Sequence, residues 1–577
     1  MTTPRRTPER GASAILVAVF FAVIALPLAA ISVDVARWYV ELERVQAAAD
    51  AAATAGVTYM PDDLAKARDR AIEIAEDNGY PNGGETRVDV SVGDKPTQLR
   101  VTVSSRIGNS FAASFGITDT VLSRTAVADY NGPAPMGSPC NTMGNEPPGT
   151  TTRPPVTSTL SVPAGANCTS NPQFWANIGG PDWPKGNGDQ FMTRTCATGV
   201  DGCIGGKNTD FDPQGYFYLV HVADTAVGRP VSVQIYDPAF VAHGDYCERG
   251  PKGNAVDNNR WNPYANSDAI ARYAKLNQTT TNQFCSGDVP TTSVPTVTSF
   301  GLRAPTDTGE PRLAPPVPSC VRQYQGWGED DLHNQSLKEG HPKYDAQLAQ
   351  VFHQWVPFCT FTPAAEGDYY LQVRTNVALS TASPDGQGGY ANNQKVFTQT
   401  GDDTAVGGGG ANRFALRAFS PGVAPGSIAV SAWERMPIYA NATGASSDFN
   451  LVRVIPAAQG KTLVFGFFDV GEAASNGTMR VIPPTDSNLP PTLTGCTGTG
   501  KVTGSLTGCQ ITGINASGWN GRSQQIRVPI PSTYTCDTTT PGGCWFRVAV
   551  DFGSGKAVND STTWTAKIEG EPVRLIE

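Results

Sequence analysis

Residues 11–33 (GASAILVAVFFAVIALPLAAISV) carry no charge, and the helical pattern they begin does not stop when charge returns. At about 1.5 Å per residue a helix of this length crosses a hydrocarbon layer about 30 Å thick. Twelve of its residues are Leu, Ile, Phe or Val. Each favours the membrane centre by about 0.3–0.6 kcal/mol, which outweighs the local cost of Pro27. The expectation is one transmembrane helix over 11–33, held by membrane lipid. A cleaved signal peptide is the competing reading, with Leu28-Ala29-Ala30 as its small-residue site. The length of the run, with no turn-rich segment after it, favours an anchor. Residues 1–10 set Arg5, Arg6 and Arg10 against Glu9 alone, so this flank stays cytoplasmic and the bulk of the chain is extracytoplasmic, at the cell surface.

Cysteine usage agrees with that compartment. All 12 cysteines, Cys140 to Cys544, follow the span, and an even count in an exported chain reads as disulfides. Cys196 with Cys203, Cys496 with Cys509 and Cys536 with Cys544 are close enough in sequence to pair, although spacing leaves the connectivity open. A net charge of −9 offers no electrostatic footprint for nucleic acid. With 61 Gly, 45 Pro and 16% charged residues, the exported part is expected to be rich in loops and strands.

The helix leaving the apolar run has a readable seam. Ile31, Val35, Trp38, Leu42, Val45, Ala49 and Ala52 are spaced 4, 3, 4, 3, 4, 3, while Asp34, Arg37, Glu41, Glu43, Arg44, Gln46 and Asp50 fall off the stripe. One face wants cover, either from the protein's own small domain or from other subunits. A second helix follows Asp62 and Asp63, with Leu64, Ala67, Ala71 and Ile74 on one face and Gly79 as its stop. Two alternating strands, 87–92 and 99–103, a short helix near 110–115 and a strand over 120–130 complete an α+β module spanning 34–130.

Arg10-Gly11 before the span, Asp34-Val35 at its outer edge and "VQAAADAAATAG" from Val45 to Gly56 together resemble the N-terminal signature of TadE/TadG-like proteins of Tad/Flp pilus assembly. The likeness covers residues 1 to about 130. It implies a pilin-like module whose membrane-proximal helix meets other pilus-assembly proteins, in a structural role without catalysis. Pilin precursors cut by prepilin peptidase carry Glu five residues after the cleavage glycine, and here that position is Leu16. The Asp-x-Ser-x-Ser run of the von Willebrand A domains found in larger TadG-like proteins is also missing.

Residues 131–165, dense in Pro, Gly, Ser and Thr, read as a linker. Beyond them "FYLVHVADTAVGRPVSVQIYD", 217–237, aligns without a gap on "FNLVRVIPAAQGKTLVFGFFD", 449–469. A second pair, from Val356 and from Val528, is followed in each case by one more strand, at Asn412 and at Thr562. The reading is a mainly β chain of the α+β class, with a tandem of antiparallel β-sandwich modules. They cover 166–419, with an insertion near 240–350, and 420–577.

Candidate chemistry is sparse. His333, His341 and His353 fall near Asp330 and Asp331 at spacings that match no zinc motif, and His221 and His243 stand apart from them. Asp210 and Asp212 before Gly215 could open a calcium loop, but also form an ordinary turn. Gly407–Gly410 reads as a flexible loop, with no Lys-Ser/Thr after it to make a phosphate cradle. No cofactor is expected. The reading is a membrane-anchored structural component of a Tad/Flp pilus or secretion apparatus. The alternatives are a tethered adhesin that binds glycan or protein, and an envelope hydrolase.

Overall fold

The computed structural model describes residues 9–21, 26–60, 64–94, 98–144, 173–242, 288, 294–306, 310–328, 331, 337, 339–379, 394–398, 401–441, 446–471, 475–539, 542–553 and 559–575. The fold is mainly β, built from antiparallel sheets with few helices. It divides into two units, residues 1–132 with 569–577, and residues 133–568.

In the first unit α1 (Glu9–Phe20) and α2 (Leu26–Gly56) precede α3 (Leu64–Asp77), β1 (Thr86–Val92), β2 (Gln98–Gly108), a 3-10 turn (Ala112–Phe115) and β3 (Asp119–Pro133). Among the described residues no helix is long and apolar enough to cross a membrane. The expected span 11–33 includes residues 22–25, which lie outside the described ones. Strand β2 is central, with Val101 opposite Val90 of β1 and Ala126 of β3. Val45, Ala49, Ala52 and Ala53 of α2, Ala67, Ala71 and Ala75 of α3, and Val88, Leu99, Val101 and Val103 of the sheet make its apolar core. Alanine at these positions lets the two helices lie close. At Gly56 the approach is tight, since a Cβ there would stand 2.6 Å from the Ala67 carbonyl oxygen and 2.6 Å from a Leu99 methyl.

The second unit opens with β4 (Pro135–Met136), β5 (Thr142–Met143) and β6 (Gln173–Gly179), then a small hairpin of β7 (Cys203–Ile204) and β8 (Lys207–Asn208). Seven strands follow: β9 (Tyr216–Val222), β10 (Val231–Tyr236), β11 (Thr298–Arg303), β12 (Pro316–Tyr324), β13 (Trp355–Phe361), β14 (Gly367–Arg374) and β15 (Ala411–Phe419). After β16 (Ile428–Trp433) and β17 (Arg435–Asn441) come β18 (Ser446–Arg453), β19 (Thr462–Phe468), β20 (Gly477–Ile482), β21 (Thr497–Gly500), β22 (Gly504–Ser505), β23 (Gln510–Ile514), β24 (Ser523–Pro529), β25 (Trp545–Asp551) and β26 (Asn559–Leu575). One sheet has the order β13-β10-β15-β6-β17-β26-β19-β24-β21-β22. The other has the order β12-β11-β14-β9-β16-β4-β18-β25-β20-β23.

The same connectivity occurs twice in these orders. Strand β10 lies between β13 and β15 as β19 lies between β24 and β26, while β12-β11-β14-β9 recurs as β23-β20-β25-β18. Alternation drives it: β24 and β25 bury every second residue, among them Ile526, Val528, Phe546, Val548 and Val550. One apolar cluster collects Val220, Phe300, Leu371, Leu451 and Val548 from one sheet with Ile235, Phe414, Ile438, Phe467 and Trp564 from the other.

The structure differs from the sequence reading at four places. Part of the expected linker, residues 134–144, is buried, because Ala134, Met136 and Met143 supply apolar side chains that the surrounding composition hides. The rest of the linker, 145–165, lies outside the described residues. The expected insertion includes β11 and β12, the counterparts of β20 and β23, while residues 243–287 and 289–293 lie outside the described ones. In the second sequence pair the strands correspond but the residues slip. Ile235 faces Val356, and its counterpart Phe467 faces Gln524, four residues before Val528. Finally, the expected boundary at 419/420 runs through the middle of a single unit.

Candidate functional site

The residues singled out on α2 divide along its length. Val45, Ala49 and Ala52 are fully buried in the first unit's own core, whereas Ile31, Val35, Trp38 and Leu42 are half-buried. The outer half of the seam is therefore already occupied, by α3 and β2. On the opposite side Val33, Ala36, Val40 and Ala47, spaced 3, 4 and 7, are all exposed, so α2 presents a second apolar stripe away from its core. That stripe was legible in the sequence at helical spacing, but Glu43 interrupts it and the longer seam masked it.

Asp34, read from sequence as a charge off the seam, is 1% exposed. Its carboxylate accepts the backbone N–H groups of Ser110 at 3.0 Å, Phe111 at 2.8 Å and Ala112 at 2.7 Å, where the chain enters the 3-10 turn. The Ala112 bond, helped by those of Ser110 and Phe111 and by the charge of Arg37, outweighs burial and holds the carboxyl below its ordinary range. Trp38 Nε1 donates to Asn109 Oδ1 at 3.0 Å, and Arg37 donates to Ser110 Oγ. Glu41 accepts from Ser105 Oγ and from the Tyr80 hydroxyl, whose pKa burial and this carboxylate push up to about 12. One polar edge of α2 thus clamps the 109–117 loop and β2, beside the apolar core.

In the second unit the two acidic candidates Asp210 and Asp212 are paired with cationic side chains. Asp212 is half-buried, and its desolvation by itself would raise its pKa, but Arg435 and Arg312, each at 2.7 Å, hold it well below the carboxylate range. Asp210 accepts from Lys185 Nζ at 2.7 Å and from Gln190. Both carboxylates of the expected calcium-loop opening are thus engaged by cationic side chains. His353 Nε2 lies 3.1 Å from Asp237 Oδ2, and neither His341 nor His353 joins a group of three potential metal ligands among the described residues, while His243, His333 and Asp330 lie outside those residues. The grouping of Asp486 with Cys536 and Cys544 is no metal centre, because the two sulfurs are joined to each other. Disulfides also join Cys196 to Cys203, Cys496 to Cys509 and Cys320 to Cys359, the last linking the sheet-edge strands β12 and β13. Gly407–Gly410 is built into the fold: Asp182 donates its N–H to Gly408 O at 2.8 Å and Gly180 donates to Gly410 O at 2.8 Å.

The aspartate that closes both repeated segments has a shared task. Asp237 and Asp469 are fully buried with left-handed backbones, φ 54° and 63°. Asp237 donates its N–H to Gln354 O and accepts the N–H of His353, and Asp469 does the same with Arg522 O and Gly521 N–H. Those donors, His353 and Gly521, are themselves left-handed, φ 46° and 67°. The identical residue marks an identical corner.

A groove of about 370 Å³ lies between the repeated halves of the second unit, lined by Pro135, His221, Asp368, Ser431, Arg453 and Trp545. His221 Nδ1 lies 2.8 Å from Asp368 Oδ1, a hydrogen bond that raises the imidazole pKa.

Residues 11–65 match the family model of Tad-type Flp pilus-assembly TadE/G-like proteins. The match covers the apolar run, all of α2 including the Asp34 clamp, and the turn into α3. No curated protein and no solved structure matches the chain.

Proposed function

We propose that this chain is a single-pass, membrane-anchored structural protein of a Tad/Flp pilus-assembly or secretion apparatus, an anchoring or minor pilin-like component that works without catalysis. The observation that carries the reading is the match over residues 11–65. The exposure of Ile15, Leu16, Val17, Val19, Phe20 and Phe21 supports a lipid environment for the start of the chain. Residues 11–33 then span the membrane with the N-terminus cytoplasmic. The two repeats, read as paired β-sandwich modules, stand outside. Assembly partners meet α2 through Val33, Ala36, Val40 and Ala47, the stripe that its own core leaves exposed.

Cysteine cross-linking in intact envelopes tests this. Val40→Asp leaves the protein anchored and full-length but removes its cross-links to pilus-assembly proteins. Val45→Asp, placed in the core, leads to degradation of residues 57–130. If Val40→Asp keeps every cross-link, α2 is only a tether. The groove at His221, Asp368 and Arg453 then favours the second reading, a tethered surface-binding protein. Protease added to wall-stripped cells removes residues beyond about 60 and spares the N-terminus; protection of a tag placed after Glu577 would refute the orientation.

A further inference from the structure

The loop held by Asp34 is itself apolar. Phe111, Phe115 and Ile117, with Val121 at the start of β3, are 43%, 61%, 52% and 54% exposed. The loop is not loosely built. Ile117 N–H donates to Ala112 O, Gly116 N–H to Ala113 O and Asn109 N–H to Thr118 O, and the Asn109 side chain donates to Ile117 O. Four large apolar side chains are therefore exposed on a backbone whose own hydrogen bonds are made, at an energetic cost that solvent contact alone does not explain.

Position supplies the occupant. Asp34 is the first charged residue after the apolar run, and the loop is bonded directly to it. Helix α2 rises about 33 Å from residue 34 to residue 56, so the loop sits at the end of the unit nearest the apolar run and α3 begins at the far end. Trp38, bonded to Asn109, and the exposed Tyr39 lie at the same level, where aromatic residues favour the membrane–water boundary. Resting on the reading of 11–33 as a membrane span, we propose that Phe111, Phe115 and Ile117 insert into the outer face of the lipid bilayer beside the span. They form a second, shallow contact that fixes the tilt of α2.

No cysteine is free among the described residues, and the wild-type chain labelled under non-reducing conditions sets the background for single introduced cysteines. The full chain is placed in phosphatidylcholine–phosphatidylglycerol vesicles with an environment-sensitive fluorophore at Phe21→Cys, Phe115→Cys or Ala65→Cys, an exposed site at the start of α3. Lipids with a nitroxide near the top of the acyl chain are expected to quench Phe115→Cys, and deep nitroxides to quench Phe21→Cys, with Ala65→Cys unaffected by either. Ile117→Cys reads the same face should Phe115→Cys misfold. Quenching at Phe21→Cys but at neither loop site overturns the loop contact and leaves the span intact. Loss at Phe21→Cys as well overturns the span itself. A blue shift at Phe115→Cys without lipid quenching also overturns the proposal, because the loop is then covered by protein.

Discussion

Asp34 shows how much one charge decides in this fold. Its carboxylate binds three N–H groups that would otherwise be left without acceptors at the entry to the 3-10 turn. Because its pKa is lowered on folding, the stability it contributes is fully present above the ordinary aspartate value of 3.8. That contribution is lost as pH falls below this value and through the lower folded one. Asp34→Asn should therefore lower the melting temperature of the first unit at neutral pH and flatten its loss of stability below about pH 4. Thermal melts of wild type and variant across that range check both parts. Equal acid sensitivity in the two proteins would remove Asp34 from the account. The seam could be counted from sequence, but the role of Asp34 could not, because its partners lie more than seventy residues away in a loop with no periodicity.

At the scale of elements, α2 and α3 were readable because alanine recurs at helical spacing, and the paired strands because apolar residues alternate. What sequence concealed was which side of α2 would be used. Val45, Ala49 and Ala52 carry the same heptad signal whether the cover is α3 or another subunit, and only the tertiary fold distinguishes them. Gly56 makes the point testable. Replacing a helical glycine with alanine in open space stabilises by about 0.8–1 kcal/mol. Here the added Cβ meets a backbone carbonyl at 2.6 Å, and overpacking of that kind costs about 1–3 kcal/mol. Gly56→Ala should thus destabilise the first unit by up to about 2 kcal/mol in chemical denaturation, against its helix propensity; a gain in stability would show that the helices can part without cost. The repeat was legible through its identical end residues. The four-residue slip in the second pair was not, because strands that alternate look the same at any even offset: Gln524, Ile526 and Val528 are all buried on one face of β24.

For the whole molecule, β4 matters more than its length suggests. Met136 is fully buried and pairs with Ala432 of β16 and Val452 of β18, joining the strands of the two repeats into one sheet. Met136→Ala should cost about 2–5 kcal/mol, and residues 133–568 should still unfold in one transition, with tryptophan fluorescence and far-UV circular dichroism coincident. Two separated transitions in the wild type would show that the repeats are energetically independent. The place of β4 also sets an order of events in time. A chain delivered from its N-terminus releases residues 135–136 early, but their partners in β16 and β18 emerge about three hundred residues later, and strand pairing over such distances is slow. Throughout that interval the first repeat has been synthesised while the flank of β9 that β16 will cover remains an open edge, a template for mispairing. Newly made chains are thus most vulnerable to aggregation just before β16 arrives, and a chaperone that shields that edge would raise the yield of native protein more than any change to the finished fold.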